Sequence, residues 1–150
     1  MIINLKSKDC DFILSHNYIG YLSYIYLNKP YVVPITYFFK DNSIICYSST
    51  GHKINAMRKH PHVSLQVASI DSVSEWKSVL VHGVYNEIEG SEAKALLHEF
   101  SLGIKDIIMR IEQKDLDYIS EFSAKIYKED LPIVFKIEIE GITGKLRKNN

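Results

Sequence analysis

Tyr31 to Pro61 reads YVVPITYFFKDNSIICYSSTGHKINAMRKHP and carries more architectural information than any other part of the chain. Tyr31 to Lys40 is rich in aromatic and β-branched residues, Asp41-Asn42 suits a two-residue hairpin turn, and Ser43 to Ser49 returns as the partner strand. Ser48-Ser49-Thr50-Gly51 then supplies hydroxyls and a flexible backbone immediately before a helical pattern. That helix should stop at His60, because Pro61 cannot continue it.

A helix N-terminus carries free N–H groups and partial positive charge, so its first turn normally favours Asp or Glu. Here the first turn offers Gly51, His52 and Lys53, with no acid between Ser43 and Pro61. Two readings account for this: an anion from outside the chain, phosphate being the usual candidate, or an exposed lysine that extends into water. Pro34 lies inside an otherwise strong strand, where it removes a ladder donor, so it marks an edge, a bulge or a ligand-facing position.

Upstream, Lys8 to His16 suits a short helix with Phe12 and Ile13 turned inward, and Tyr18 to Leu27 suits the first strand. Asn28-Lys29-Pro30 would turn the chain into the Tyr31 strand. That strand is apolar on both sides, as expected where one face fills a barrel and another subunit or a ligand covers the other. Downstream, Val63, Leu65 and Val67 form the drier face of a strand, Asp71 to Glu75 is a polar loop, and Trp76 to Glu89 is a long strand in which Gly83 marks a bend or bulge. Helical spacing begins at Ser91, with Ala93, Leu96, Leu97 and Phe100 inward, Ser91 as cap and Gly103 at the end. Ile104 to Lys114 is ambiguous, and Asp115 to Tyr127 suits a second helix. Ile133 to Leu146 closes the chain as a strand kinked at Gly141, leaving Arg147 to Asn150 frayed. Several short strands with tight connections, followed by helices, predict an antiparallel barrel or sandwich in a mainly β (α+β) protein.

The 150 residues suit a single domain, 1–150, able to bury a core without staples. Lys plus Arg and Asp plus Glu both total 18, so no general attraction to nucleic acid or an anionic membrane is indicated. Cys10 and Cys46 lack metal-type spacing and suit free thiols in the cytoplasm. No targeting pattern or membrane-length apolar run stands out, so a soluble intracellular protein is expected. His52, His60 and His62 cluster without a Cys or acid at ligand spacing, which argues against a metal site.

Tyr31-Val32-Val33-Pro34-Ile35-Thr36-Tyr37-Phe38, Ile45-Cys46-Tyr47-Ser48-Ser49-Thr50-Gly51-His52-Lys53 and Pro61-His62-Val63-Ser64 come in a telling order. With Gly20-Tyr21-Leu22-Ser23 before them and Trp76 to Gly83 after them, they resemble the pyridoxamine 5′-phosphate oxidase-related, FMN-binding split-barrel family. Within it, the short nitroimidazole-resistance (nitroreductase-like) members are the nearest in pattern, and the resemblance covers about residues 9 to 89. It implies an antiparallel split β-barrel with peripheral helices, working as a homodimer with FMN at the interface. Val33, Pro34, Ile35 and Thr36 would pass along the flavin ring, Tyr47, Ser48 and Ser49 would line the ribityl and phosphate side, and His52 and Lys53 would take the phosphate. Trp76 and Ser78 match flavin contacts often contributed by the second subunit, although a lone Trp on a strand also serves as core or interface filler.

No catalytic triad, carboxylate pair or reactive cysteine is recognisable, as suits an enzyme whose cofactor carries the chemistry. The resemblance implies an FMN-dependent oxidoreductase acting on a small molecule. The alternatives are a flavin carrier or sensor without turnover, a vitamin B6-type oxidase, and a barrel that has lost its ligand. Lys136 to Lys145 lacks the basic segment that holds the substrate phosphate in true pyridoxamine-phosphate oxidases. No histidine follows His98, which counts against haem.

Overall fold

Two tight turns set the sheet. Leu27 and Asn28 have φ of 47° and 63°, and Asp41 and Asn42 have φ of 50° and 58°. Paired positive φ values give the turn whose twist matches antiparallel strands. The first turn joins β2 (Ile19–Tyr26) to β3 (Lys29–Thr36), and the second joins β4 (Phe38–Lys40) to β5 (Ser43–Ser48). The first turn therefore lies one residue earlier than expected: Pro30, with its φ locked negative, cannot serve in it and begins the strand with Lys29.

The computed structural model describes residues 1–112 and 132–149. Its remaining elements are β1 (Ile2–Asn4), α1 (Ser7–Ser15), α2 (His52–Lys59), β6 (His62–Ser72), β7 (Glu75–Ile88), α3 (Gly90–Glu112) and β8 (Ile133–Arg147). The strands form one antiparallel sheet in the order β3-β2-β6-β7-β8-β5-β4, with β1 also paired to β8. Strand β8 pairs with β7 on one side, and its other side is shared by β5 and β1. The two end strands of this order, β3 and β4, are consecutive in the chain and separated only by Tyr37. The sheet must therefore curl until its ends approach. Tyr37 pins that closure: it is fully buried, its N–H donates to the Tyr18 carbonyl at 2.8 Å, and its hydroxyl donates to the Leu14 carbonyl at 2.8 Å. Among the described residues no ladder joins β3 to β4, so the barrel stays split there.

Side chains opposed across a ladder share a face. Val33, Leu22, Leu65 and Val81 form an inward row across β3, β2, β6 and β7, while Pro34, Tyr21, Gln66 and Leu80 form the outward row beside it. The interior is filled by Leu22, Leu65, Val79, Val81, Phe135 and Ile137, among others. A second cluster beneath α3 joins Leu97, Phe100, Ile104 and Ile108 to Ile45 and Val134. Strand β5 is apolar on both faces because Ile44 and Cys46 enter the barrel while Ile45 meets α3.

Several expectations need correction. Cys10, Ile13 and Leu14 make the buried stripe of α1, which turns Phe12 outward to stack on His16 with centroids 3.8 Å apart. The first strand is β1 rather than β2. The loop expected from Asp71 to Glu75 shortens, because β6 runs to Ser72 and β7 begins at Glu75. Helix α3 begins at Gly90 and continues through Gly103 to Glu112, because Ile104, Ile107 and Ile108 extend the same buried stripe. At Gly103 the missing side chain makes room for the Phe38 ring. The irregularity expected at Gly83 is there, as a β-bulge: His82 pairs with Gly141 but Gly83 pairs with Ile139, leaving Glu140 of β8 as the extra residue. A Cβ at Gly83 would collide with the Glu138 carbonyl oxygen. The helix expected at Asp115 to Tyr127 lies outside the described residues.

Candidate ligand-binding site

Helix α2 forms because Ile54, Ala56 and Met57 are fully buried and anchor it to the barrel, and it ends at Lys59, with His60 as its C-terminal cap before Pro61. Its far end is tied down by Arg58, which donates from Nε to Glu87 Oε1 at 2.9 Å and from Nη2 to Oε2 at 3.1 Å. The Tyr85 hydroxyl donates to the same carboxylate at 2.6 Å. The Arg58 hydrogen bond foremost, helped by Tyr85, holds the Glu87 carboxyl below its ordinary range against the opposing effect of burial.

The other end of α2 is open. Gly51 precedes it with φ of 155°, which glycine tolerates best, and no side chain caps the helix. The Ser48 hydroxyl donates to the Ser49 carbonyl at 3.0 Å instead of to the first turn. No acid occurs in that turn. Lys53 is half-buried there and makes no ion pair among the described residues. Burial pushes the Cys46 thiol far above its ordinary value, and the positive charge of Lys53 opposes that shift. Uncapped N–H groups, nearby hydroxyls and a cation make a seat for an anion.

His52 turns toward β2 and β3. Its Nδ1 lies 3.1 Å from the Tyr24 hydroxyl, and its ring centroid lies 4.0 Å from Tyr26 and 4.8 Å from Tyr31. Burial foremost, then the neighbouring Tyr31, raises the Tyr24 phenol and keeps it neutral. The sequence reading missed these three tyrosines. Their signal is the alternation of Tyr24 with Tyr26, and Tyr31 opposite Tyr24, visible once the turn is placed at Leu27-Asn28.

Strand β3 is an edge strand, so one side of its backbone is open. The turn closes on Tyr26 and Lys29 as a hydrogen-bonded pair, after which bonded and non-bonded pairs alternate. Pro30 and Pro34 then fall in non-bonded pairs, where a missing N–H costs no ladder bond. The N–H groups of Val32 and Thr36 and the Pro34 carbonyl face the open edge by the same count. Val33 and Ile35 turn their side chains into the core. Of the remaining site candidates, Ser48, Ser49, His52 and Lys53 come together at the start of α2. Tyr47 does not, because its ring packs on Phe100 at 5.2 Å. Trp76 and Ser78 share the outward face with Pro34 and Thr36, and Ser78 accepts from Gln66 Nε2 at 3.0 Å. Strand β7 is three strand spacings from β3, about 14 Å along the sheet, so these two do not join the β3 edge within one chain.

Around the bulge, Ser23, His62, Ser64, His82 and Glu140 help line a cavity of about 250 Å³, with His62 Nδ1 3.6 Å from Glu140 Oε1. Among the described residues no group of three His, Cys, Asp or Glu is arranged to hold a metal.

A family model described as pyridoxamine 5′-phosphate oxidase matches residues 6–145. An uncharacterized protein of Rhizobium meliloti (strain 1021) is 35% identical over 105 residues, which cover 68% of this chain and 70% of that protein. The crystal structure of a FAD-binding protein from Mesorhizobium loti aligns over 99% of both chains with a TM-score of 0.73 and 26% identity. A structure linked to 5-nitroimidazole antibiotic resistance, from Bacteroides thetaiotaomicron, aligns over 100% of this chain and 92% of its own with a TM-score of 0.67 and 19% identity. At that identity the likeness speaks for the split-barrel fold.

Proposed function

The chain belongs to the pyridoxamine 5′-phosphate oxidase family, and from that footing we propose that it binds a flavin nucleotide and uses it to oxidise or reduce a small molecule. The observation that carries this reading is the uncapped, acid-free start of α2 with Lys53 unpaired among the described residues, placed beside the open edge of β3. The FAD-binding relative, aligned over nearly its whole length, adds support. The flavin phosphate sits at Gly51 to Lys53 with Ser48 and Ser49 beside it, and the ring runs along the edge from Val33 to Thr36. A bound flavin supplies the electron transfer. The protein holds the phosphate, and the backbone groups of Val32, Pro34 and Thr36 orient the polar edge of the ring. FMN and FAD share this portion, and FMN is the minimal ligand it needs.

A second copy of the chain completes the site. It covers the outward face of the sheet and brings its own Trp76 and Ser78 to the first copy's ring, since within one chain they stay remote from β3. Buried, free Cys10 and Cys46 suit the reducing cytoplasm. No helix among the described residues is long and apolar enough to cross a membrane.

The test is the visible spectrum of the purified protein before and after loading with FMN or FAD and desalting, followed by reduction with NADH or NADPH. Retention of about one flavin per chain, bleaching on reduction and recovery with a nitroaromatic or quinone are expected. Retention without reduction would leave a flavin carrier. No retention of either flavin at micromolar protein would remove the reading.

A further inference from the structure

His52 is the first residue of α2 and is exposed to solvent, yet its ring is closely held. The Tyr24 hydroxyl lies 3.1 Å from Nδ1, and the ring centroids of Tyr24, Tyr26 and Tyr31 stand 5.8, 4.0 and 4.8 Å from that of the imidazole. All three tyrosines meet it at steep angles of 61° to 67°. Tyr24 is 4% exposed and stacks on Tyr31 with ring planes 9° apart, so the hydroxyl that meets His52 projects from a fixed ring. Anchoring α2 does not call for this contact, because Ile54, Ala56 and Met57 bury its apolar face and Arg58 ties its far end. The two nitrogens of an imidazole point away from one another, so with Nδ1 engaged Nε2 is the one left for another partner.

We infer that Tyr24 is a positioning residue for ligand binding: its hydroxyl fixes the His52 ring so that Nε2–H is presented to the phosphate of the bound flavin. The inference rests on the flavin reading above and adds to it a residue that itself touches no ligand. A neutral imidazole carries one ring proton and donates from one nitrogen only. The neutral Tyr24 phenol donates to Nδ1, which leaves that proton on Nε2. A protonated imidazole donates from both nitrogens, and the Tyr24 oxygen then accepts from Nδ1–H. One hydroxyl thus serves both states, and the phosphate contact survives as pH rises through the range where histidine loses its charge. The other groups facing His52 are the Tyr26 ring on β2 and the Tyr31 ring on β3, with Lys53 beside it on α2. Among the described residues no carboxylate lies within ion-pair distance of it.

Titration of the apoprotein with FMN at pH 6 and pH 8, followed by flavin fluorescence, tests the inference. Tyr24→Phe keeps the buried ring and removes the hydroxyl. At pH 8 it should weaken FMN binding about fivefold, the scale of one hydrogen bond. At pH 6 the loss should stay under about twofold, because a loosened but protonated imidazole donates from either nitrogen. The FMN phosphate titrates alike in both experiments, so the ratio of variant to unaltered dissociation constants reports the protein alone. In a His52→Ala background, Tyr24→Phe should change the affinity at neither pH. Unchanged affinity of Tyr24→Phe at pH 8 overturns the inference and leaves the flavin reading intact. So does an equal loss at both pH values, or a loss that persists without His52, since Tyr24 would then act through packing. Failure of the unaltered protein to bind FMN removes this inference, and failure to bind FAD as well removes the flavin reading.

Discussion

Lys53 sits half-buried in the first turn of α2, without an ionic partner among the described residues, where a helix start ordinarily carries an acid. A cation so placed contributes little to the fold and much to an incoming phosphate. Lys53→Ala should therefore weaken flavin binding by about 1.5 to 3 kcal/mol, the worth of a charge-assisted contact, with an unchanged thermal melt. Unaltered affinity in a titration would move the anion elsewhere. The placement of His52 and Lys53 is legible in the sequence because Gly51 and Pro61 bracket a helix too short to shift by a turn. What His52 touches is not legible, since its partners lie on a hairpin more than twenty residues away and depend on a one-residue choice of turn. Phe12 marks a milder failure. Cys10, Ile13 and Leu14 fall within about 100° of one another around the helix, whereas Phe12, two residues on from Cys10, points to the opposite side.

Helix α2 is held along its length by its apolar face and at its C-terminal end by the Arg58–Glu87 pair with Tyr85. The folded chain keeps the Glu87 carboxyl below its ordinary value, chiefly through Arg58, so near that value the unfolded chain binds more protons. The contribution is fully present above the ordinary glutamate range and is lost as pH falls through the folded value. Melting temperatures measured from pH 7 to pH 3 should fall more steeply for the unaltered protein than for Glu87→Gln, which lacks this titration. Parallel curves would show that the pair does not steady the helix. Long-range ties of this kind escape a reading of the chain, because Arg58 and Glu87 belong to elements whose pairing only the folded sheet decides. Strand periodicity, by contrast, reads well: Val63, Leu65 and Val67 are buried as their alternation requires. Helix α3 runs past its expected stop because the inward spacing of Ile104 and Ile108 outweighs the glycine at 103, whose lack of a side chain serves the Phe38 ring.

The eight-stranded sheet closes on itself at Tyr37 and fills its interior, yet its outward face is left apolar. Ile19, Tyr21 and Val32 are 50%, 49% and 63% exposed there, beside Pro34. Single chains rarely leave a contiguous patch of this kind uncovered. The apolarity of both sides of β2 and β3 is legible in the sequence, but what covers the outer side is not, since a ligand and a subunit ask for the same residues. We propose that a subunit covers it, because Trp76 and Ser78, three strands from β3, would reach a ligand at that edge only from a second copy. Light scattering of the unaltered protein should therefore give twice the 17.3 kDa of one chain. Tyr21→Glu places a charge in the middle of the face without touching the core, and it should give the single-chain mass. The same variant should retain less flavin after desalting, because each site loses the partner's contribution. A single-chain mass for the unaltered protein at micromolar concentration would remove the dimer. A Tyr21→Glu monomer that keeps its flavin would show that the site is complete within one chain, with the ligand held by α2 and the edge of β3 alone.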